Sequence, residues 1–346
     1  LSGPDELKGK EGLRGIEFAL QLQPYLQNGD RIELITADDK NDPALTVSML
    51  EKLVKKDNVS AIITLSTSDS VLAMAKVADE NKTPILAAIA THPDITKQND
   101  FISHLCFDDH FQGTTAALFV RDELLVDKVA VFINPDSAYS RDLASEFKKK
   151  FESIGGEITD TIRLAEETAN LYKEIKRVHD HAPELLYLPI RAEDVLLVIR
   201  EVRELRWKPQ IMGSDGLLST MIKQHKKELN LVEGMLAIDF FAHEVPPTPF
   251  GEKVKDAYHS KYKGKLRAAS TSYSALGVEG YALLLDAMNR CNDPADRECL
   301  NSQIRSTTNF TGLAGNITIG PDGKAERPLY INSIQNGISK FVVKVY

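Results

Sequence analysis

The chain has 346 residues and a formal net charge of −8, with 42% hydrophobic and 27% charged residues. This length suits about two domains, and the composition excludes a disordered chain, a collagen-like fibre and a small disulfide scaffold. The longest apolar runs, such as residues 195–199, are too short to cross a bilayer. The sequence has no long basic block, so nucleic acid is not expected as a partner.

Helical and strand-like segments alternate along the first third of the chain. Apolar spacing predicts helices over residues 14–23, 43–54 and 68–80, and strands over residues 31–36, 60–64 and 84–87. This alternation is typical of a mostly parallel sheet covered by helices on both faces.

A second alternation fills the middle of the chain, and its length allows a second doubly wound sheet. Its predicted helices are 112–125, 137–154, 169–179 and 192–205, and its predicted strands are 128–133, 158–162, 185–188 and 210–213. The last third has predicted helices at 250–263, 273–289 and 294–306, then strands at 316–319, 329–335 and 340–346. The Asn336-Gly337 pair predicts a terminal hairpin.

Three cysteines are present, Cys106, Cys291 and Cys299. A bridge between Cys291 and Cys299 would close a short loop and imply an oxidising compartment. Two unbridged thiols explain the same spacing equally well. Cys106 lies in a strand-like run, which predicts a buried thiol.

The sequence contains no motif typical of catalysis or of cofactor binding. GxGxxG, Walker A, GxSxG and HExxH patterns are all absent, so we predict that the protein is not an enzyme and uses no cofactor. The glycine-rich residues 9–15 could hold an anion at a helix start, but no strand precedes them. His179 and His181 lie at a predicted helix end, where solvated polar residues are expected rather than a metal site.

Hydroxyl and carboxylate side chains follow several predicted strands, at the edge where open α/β sheets bind ligands. Thr67 and Ser68 follow the second strand and lead into a helix. Their hydroxyls and the free N–H groups suit a carboxylate, although Ser68 could equally be a helix N-cap. Thr91 follows the third strand, and Asp215 follows residues 210–213, where helix capping also explains it. Hydroxyls for a carboxylate and an aspartate for an ammonium group would together suit an amino acid.

Short motifs are spread along essentially the whole chain. They are residues 1–4, 12–15, 37–39 and 84–96, Asp109 with Gln112-Gly113, and residues 137–140, 213–216, 315–319 and 322–324. In this order they resemble the type I periplasmic binding proteins, in the branch that binds leucine, isoleucine and valine for ABC transporters.

The resemblance implies an α/β fold of two doubly wound parallel-sheet lobes, joined by three crossovers and closing on a ligand like a flytrap. Lobe I would comprise residues 1–108 and 243–313, and lobe II residues 109–242 and 314–346. The crossovers would lie near residues 107–111, 240–245 and 311–315.

The resemblance also implies a set of ligand contacts. Thr67, the backbone N–H groups around Ser68, and Thr91 would hold the ligand α-carboxylate. The carbonyl near Ala90, the Thr91 hydroxyl and Asp215 would receive the α-ammonium group.

Tyr139 would close over the ligand from the second lobe. Lys8 stands where relatives often have an aromatic residue, and Arg191 where they carry a tyrosine, and both positions face the ligand side chain in the family. Because unpaired buried charge is costly, these cations favour an anionic or strongly polar ligand side chain over leucine, isoleucine or valine. Alternatively, Lys8 and Arg191 face solvent or pair with Glu193 or Asp194.

The implied function is that of an extracytoplasmic solute-binding protein of an ABC importer, which binds an amino acid or a related small carboxylate. Its partners would be that ligand and a membrane permease. It would act as a monomer in the periplasm or outside the cell, and a lipid anchor is compatible with this role. The alternative is the ligand-binding ectodomain of a membrane receptor. Family members also begin with a strand before the Ser-Gly-Pro turn, so a further strand is expected ahead of Leu1.

Overall fold

The computed structural model describes residues 1–97, 99–164, 170–263 and 271–346. Their contacts divide the chain into two compact units, each assembled from separate stretches of sequence. Unit 1 comprises Leu1–Asp108, Val245–Pro328 and Tyr346, and unit 2 comprises Asp109–Glu244 and Leu329–Val345. The main sheet of each unit is built around parallel strands, which confirms the predicted fold class.

The first stretch of unit 1 follows the predicted alternation. Its elements are α1 (Glu6–Leu22), α2 (Pro43–Lys55), β1 (Ile62–Thr64), α3 (Ser68–Glu80), β2 (Ile85–Ala87), α4 (Asp94–Lys97) and β3 (Ile102–His104). The three strands form a parallel sheet in the order β1-β2-β3. Val71, Ile85 and Ile102 are fully or almost fully buried in its core, so apolar burial on the sheet positions the loops that follow the strands.

The strand predicted over residues 31–36 is not formed, and this prediction is wrong. The segment makes a single bridge, between Tyr25 and Arg31, and Leu34 is 37% exposed. Within the described part of the chain, β1 pairs with β2 alone. Residues 31–36 form no backbone hydrogen-bond ladder with the other edge of β1. A cavity of about 460 Å³ separates them, lined by Leu34, Ile63 and other apolar side chains.

The first stretch of unit 2 contains a second, longer alternation. Its elements are α5 (Asp109–Leu118), β4 (Lys128–Ile133), α6 (Ala138–Ser153), β5 (Glu157–Arg163), α7 (Leu171–Asp180), β6 (Leu185–Leu188), α8 (Ala192–Glu204), β7 (Gln210–Gly213), α9 (Leu217–Gln224) and β8 (Leu236–Asp239). The predicted helix start at Ala169 lies outside the described residues. α9 and β8 were not predicted from the sequence.

The chain then returns to unit 1. Its elements there are α10 (Pro249–Lys261), α11 (Ser272–Arg290), α12 (Arg297–Arg305), β9 (Phe310–Thr311), β10 (Asn316–Ile319) and β11 (Ala325–Glu326), and the three strands form an antiparallel sheet in the order β11-β10-β9. Cys291 and Cys299 are joined by a disulfide with a Cα–Cα distance of 6.0 Å. This resolves the two alternatives left open by their spacing. Cys106 is buried, as predicted.

The glycine-rich run of residues 9–15 lies within α1 and serves helix packing. A Cβ on Gly15 would lie 2.1 Å from the carbonyl oxygen of Ser274, and a Cβ on Gly277 would lie 2.1 Å from that of Gly12. The backbones of α1 and α11 therefore approach each other too closely for any larger residue. The suggestion that these glycines hold an anion is replaced by this packing role.

The chain ends in unit 2 with the predicted hairpin, β12 (Leu329–Gln335) and β13 (Ile338–Val345). Asn336 and Gly337 both have positive φ, 52° and 72°, as a two-residue hairpin turn requires. The complete sheet has seven strands in the order β13-β12-β8-β7-β6-β4-β5. β4 to β8 are mutually parallel, and β12 and β13 run antiparallel.

The unit boundaries differ from the expected lobes at one crossing. The chain passes between the units after Asp108, after Glu244 and after Pro328. The first two points lie within the expected ranges, whereas the third falls after β11 instead of near residues 311–315. The reason is the pairing of β10 with both β9 and β11, which keeps this small sheet in unit 1.

Candidate functional site

The predicted site residues divide between the two units. Lys8, Thr67, Ser68, Ala90 and Thr91 belong to unit 1, and Tyr139, Arg191 and Asp215 belong to unit 2. Most of them lie where the chain leaves the carboxyl end of a parallel strand, which is the usual ligand edge of such sheets.

Thr67 joins β1 to α3 and is the N-cap residue of that helix, with extended backbone. The interpretation of Ser68 as the cap is therefore wrong, because Ser68 is the first helical residue. The N–H and hydroxyl of Thr67 both donate to Oδ1 of Asn41, over 3.1 and 2.7 Å, and the Ser70 hydroxyl reaches the same oxygen at 3.3 Å. Three donors thus converge on one oxygen, as they would on a carboxylate.

Asn41 was not among the residues predicted from the sequence, since it lies 26 positions from Thr67. It adopts a left-handed backbone conformation, with φ of 57°, and its Nδ2 donates to Asp5 at 3.0 Å. Asp5 in turn lies 3.0 Å from Nζ of Lys8. Lys8 therefore has an acidic partner and reaches the Thr67 cluster through it. An asparagine in the turn after two aspartates was the available signal.

Thr91 lies in the loop after β2 and is 1% exposed. Its hydroxyl has no hydrogen-bond partner among the described residues. The neighbouring N–H of His92 donates to Oγ of Ser68 at 3.4 Å, which brings this loop against the start of α3. A buried hydroxyl without a partner costs stability, so Thr91 is a candidate ligand contact.

The carbonyl of Ala90 already has two donors inside unit 1. Nδ1 of His104 lies 3.0 Å away, and the Cys106 thiol lies 3.1 Å away. Burial lowers the pKa of His104 to about 4, so the ring is neutral at neutral pH. Both lone pairs of the Ala90 oxygen are therefore engaged, which makes Thr91 the stronger of the two neighbouring candidates.

Asp215 follows β7, and the residue that caps α9 is Gly216, with φ of 68°. Oδ1 of Asp215 accepts from Nε2 of Gln112 on α5, over 2.9 Å, and from the hydroxyl of Tyr139 on α6. The structure thus brings together two of the predicted residues, Tyr139 and Asp215. A carboxylate fixed by two donors is a suitable acceptor for an ammonium group.

Two further groups surround this carboxylate. Asp109 begins α5 and Tyr187 lies on β6, and both are fully buried. Burial, with the charges of Asp215 and Asp109, raises the pKa of Tyr139 and of Tyr187 well above the ordinary value. Both phenols therefore stay protonated and able to donate. Sequence motifs included Asp109 but gave it no role, and nothing in the sequence pointed to Tyr187.

Arg191 occupies the N-cap position of α8. Its side chain is 42% exposed, and Nε lies 3.7 Å from a carboxylate oxygen of Glu193. This is the pairing considered as the alternative for Arg191. Each of the two cations expected to face the ligand side chain thus has an acidic neighbour in its own unit.

In the part of the chain that the structure describes, no group of three or more His, Cys, Asp or Glu side chains could hold a metal ion. His181 lies 2.9 Å from Asp160, whose other oxygen accepts from Arg177. His181 therefore pairs with a buried carboxylate, whereas solvated polar residues were expected at this helix end. None of the described helices is long and apolar enough to cross a membrane.

A family model described as periplasmic binding protein matches residues 1–338, which is nearly the whole chain. The chain belongs to the periplasmic binding protein family. The fold and the strand-end location of the candidate residues agree with this membership, which implies an extracytoplasmic location. Such a compartment also favours the Cys291–Cys299 disulfide.

Individual relatives of this periplasmic binding protein are distant in sequence and close in fold. Leu/Ile/Val-binding protein homolog 2 of Brucella abortus is 24% identical over 342 residues, 96% of this chain and 87% of the relative. The leucine binding protein LivK of Thermotoga maritima is 27% identical, with a TM-score of 0.90, over 99% of this chain and 96% of that one. An ABC-transporter solute binding protein of Rhodopseudomonas palustris, in complex with 3,4-dihydroxybenzoic acid, is 19% identical, with a TM-score of 0.85, over 99% and 94%.

These comparisons confirm the predicted resemblance and the type I fold. They also confirm that the periplasmic binding protein described here is a substrate-binding protein and not an enzyme. Because the same fold holds ligands of different chemistry in these relatives, the ligand has to be argued from the residues of this chain.

Proposed function

We propose that this protein is the solute-binding component of an ABC importer and that its ligand is an α-amino acid, bound by closure of the two lobes. The observation that carries the proposal is Asp215. Its carboxylate accepts hydrogen bonds from both Gln112 and Tyr139 and is therefore held ready to bind a cationic group.

The charge around Asp215 supports an ammonium-bearing ligand. Asp109 is close enough to Asp215 and Tyr139 for both carboxylates to raise the pKa of the Tyr139 phenol. A ligand that brought only a carboxylate to this part of unit 2 would meet repulsion, whereas an ammonium group would be attracted. An aromatic acid such as the one bound by the Rhodopseudomonas relative has no such group.

Unit 1 supplies matching donors for the other end of an amino acid. The N–H and hydroxyl of Thr67 point to one oxygen position, which Asn41 fills. The buried hydroxyl of Thr91 adds a group without a partner among the described residues. Three donors of this kind suit an α-carboxylate, with Thr67 and Thr91 as its principal contacts and Ser68 and Ala90 beside them.

The two cations are weaker guides to the ligand side chain. Lys8 lies 3.0 Å from Asp5, and Arg191 lies 3.7 Å from Glu193. Since each already has a partner, neither requires an anionic ligand. The proposal therefore names the amino acid class, and acidic and aliphatic amino acids are both included in its test.

The proposed partner is a membrane permease, to which the protein would deliver its ligand as a monomer, with or without a lipid anchor. The relatives described above are named as binding proteins or as ABC-transporter components. No observation favours the receptor ectodomain, so it is not proposed.

The test is calorimetric titration of protein freed of co-purified ligand by unfolding and refolding. Leucine, isoleucine, glutamate and aspartate are compared with 4-methylpentanoate, which is leucine without its amino group, and with 3,4-dihydroxybenzoate. We expect at least one amino acid to bind and both amine-free acids to fail. Binding of 4-methylpentanoate as tightly as leucine would contradict the proposal.

A further inference from the structure

Gln112 donates a hydrogen bond to the Asp215 carboxylate, as the Tyr139 phenol also does. It lies one helical turn after the start of α5 and is fully buried. Its Nε2 donates to Oδ1 of Asp215 over 2.9 Å. Two residues distant in sequence are thereby joined, since 103 positions separate them.

The other end of the Gln112 amide has no such contact. Its Oε1 is buried and makes no hydrogen bond within the described part of the chain. An unsatisfied buried acceptor is unfavourable, so stability alone does not account for an amide at this position. The amide is therefore better explained by what it does to Asp215 than by stability.

Gln112 and Tyr139 donate to the same oxygen of Asp215 from two different helices. A carboxylate held at one oxygen from two directions cannot rotate freely about its terminal bond. The titratable groups in this cluster are Asp109, Tyr139, Tyr187 and Asp215.

We propose that Gln112 is a positioning residue, which fixes the orientation of the Asp215 carboxylate for the ammonium group of the ligand without touching the ligand itself. The inference rests on the proposed function, since it assigns Asp215 to that ammonium group. It predicts that selection for an amine depends on a donor at position 112 and not only on the carboxylate.

The test compares Gln112→Met, which removes the donor at similar volume, with Gln112→Glu, which makes the donor depend on pH. Affinity for the best amino acid is measured at about pH 5.5 and at about pH 8.5. Two carboxyl groups at hydrogen-bond distance share a proton, and this last proton leaves the pair at a pH above the ordinary carboxyl range. At the lower pH the new glutamic acid keeps a proton to donate to Asp215, and at the higher pH it does not.

We expect Gln112→Met to weaken binding about 10- to 100-fold at both pH values, as the loss of a hydrogen bond to a charged group implies. Gln112→Glu should bind nearly as the wild type does at the lower pH and lose at least about 10-fold at the higher pH. Simple attraction by an added negative charge gives the opposite trend, tighter binding at the higher pH.

Gln335→Met, at an exposed position of the terminal hairpin, serves as the matched control and should leave affinity unchanged. Far-UV circular dichroism checks that each variant is folded. Wild-type affinity for Gln112→Met, or tighter binding by Gln112→Glu at the higher pH, overturns the role of Gln112 while the proposed function stands. A wild type that binds only amine-free acids overturns both.

Discussion

The two units prepare their candidate ligand contacts in different ways. In unit 1, the donors of Thr67 converge on the neutral amide oxygen of Asn41. In unit 2, the donors of Gln112 and Tyr139 converge on a carboxylate, that of Asp215. A hydrogen bond to a charged group contributes about 1.5–3 kcal/mol and a neutral one about 1 kcal/mol, so unit 2 should supply the larger share of ligand affinity.

The same contrast extends to the buried titratable groups. Unit 1 buries His104 as a neutral imidazole, whereas unit 2 buries the carboxylate of Asp109 beside the Asp215 cluster. The buried group beside Ala90 in unit 1 is therefore neutral, whereas the groups around Tyr139 in unit 2 include two carboxylates. Each unit should respond differently to substitution and to pH.

The largest expected effect is the loss of the charge itself. Asp215→Asn keeps an acceptor oxygen for Gln112 and Tyr139 but removes the negative charge that an ammonium group would meet. We expect amino-acid affinity to fall about 100- to 1,000-fold, as for removal of one partner of a buried charge pair. Calorimetric titration measures it, and Asp136→Asn at an exposed position of unit 2 is the control. A fall of less than threefold, roughly the scale of a rim contact, would show that Asp215 does not contact the ammonium group.

Much of the secondary structure could be predicted, because helical and strand periodicity is local. The predicted bounds of α3 and β7 match those observed, and the terminal hairpin follows from the turn chemistry of Asn336-Gly337. Residues 31–36 have the same strand-like pattern and form no strand, because a strand also needs a neighbour to pair with. β8 was missed since its apolar run adjoins an expected crossover.

The candidate site shows the same contrast between residues that local sequence identifies and contacts that depend on distant chain segments. Asp215 and Tyr139 could be named from strand-end position and family motifs. The contact of Asn41 with Thr67, and that of Gln112 with Asp215, depend on chain segments 26 and 103 residues apart. Nothing in local sequence fixes such distances, so the groups that orient the site became visible only in the folded chain.

The second effect is on stability and concerns unit 1. The pKa of His104 is lowered from 6.5 to about 4 by burial. Between these pH values the unfolded chain takes up a proton that the folded chain does not, so acid lowers the free energy of unfolding. We expect His104 to account for a loss of about 2–3 kcal/mol between about pH 7 and about pH 4.5.

Urea unfolding of the wild type and of His104→Gln at the two pH values measures this loss. The variant should show a smaller dependence on pH, and His179→Gln, at an exposed position of unit 2, should not differ from the wild type. An unchanged pH dependence in His104→Gln would place the acid sensitivity in another group. The buried neutral imidazole of His104 would then make no contribution to it.

The third effect concerns the disulfide of unit 1 and compares the unfolding of the two units. The Cys291–Cys299 disulfide closes a short loop in unit 1, where Arg297 also donates to the carbonyl of Val59. Replacement of both cysteines by serine should lower the stability of unit 1 by about 2 kcal/mol. Circular dichroism reports both units, whereas fluorescence of Trp207, the single tryptophan, reports unit 2.

We therefore expect the transition followed by circular dichroism to shift more than the one followed by Trp207 fluorescence. Equal shifts by both probes would mean that the two units unfold together, so that they would not have separate stabilities.

The smallest expected effect concerns the neutral donors of unit 1. Thr67→Val removes the hydroxyl that now donates to Asn41 and keeps the shape of the side chain and the backbone N–H. We expect affinity for an amino acid to fall about 3- to 10-fold, which corresponds to one neutral hydrogen bond. Thr308→Val, at an exposed position of unit 1, is the control.

The ratio between the effects at Thr67 and at Asp215 tests the comparison directly. A ligand carboxylate carries its own charge, so its hydrogen bond to Thr67 would also be charge-assisted if it replaced the Asn41 oxygen. In that case Thr67→Val would cost as much as Asp215→Asn. A small effect instead means that backbone N–H groups at the start of α3 carry the carboxylate and that the hydroxyl mainly orients Asn41. Thr67→Ser, which keeps the hydroxyl without the methyl group, should bind as the wild type does in either case, and it shows that the hydroxyl and not the methyl group carries the effect.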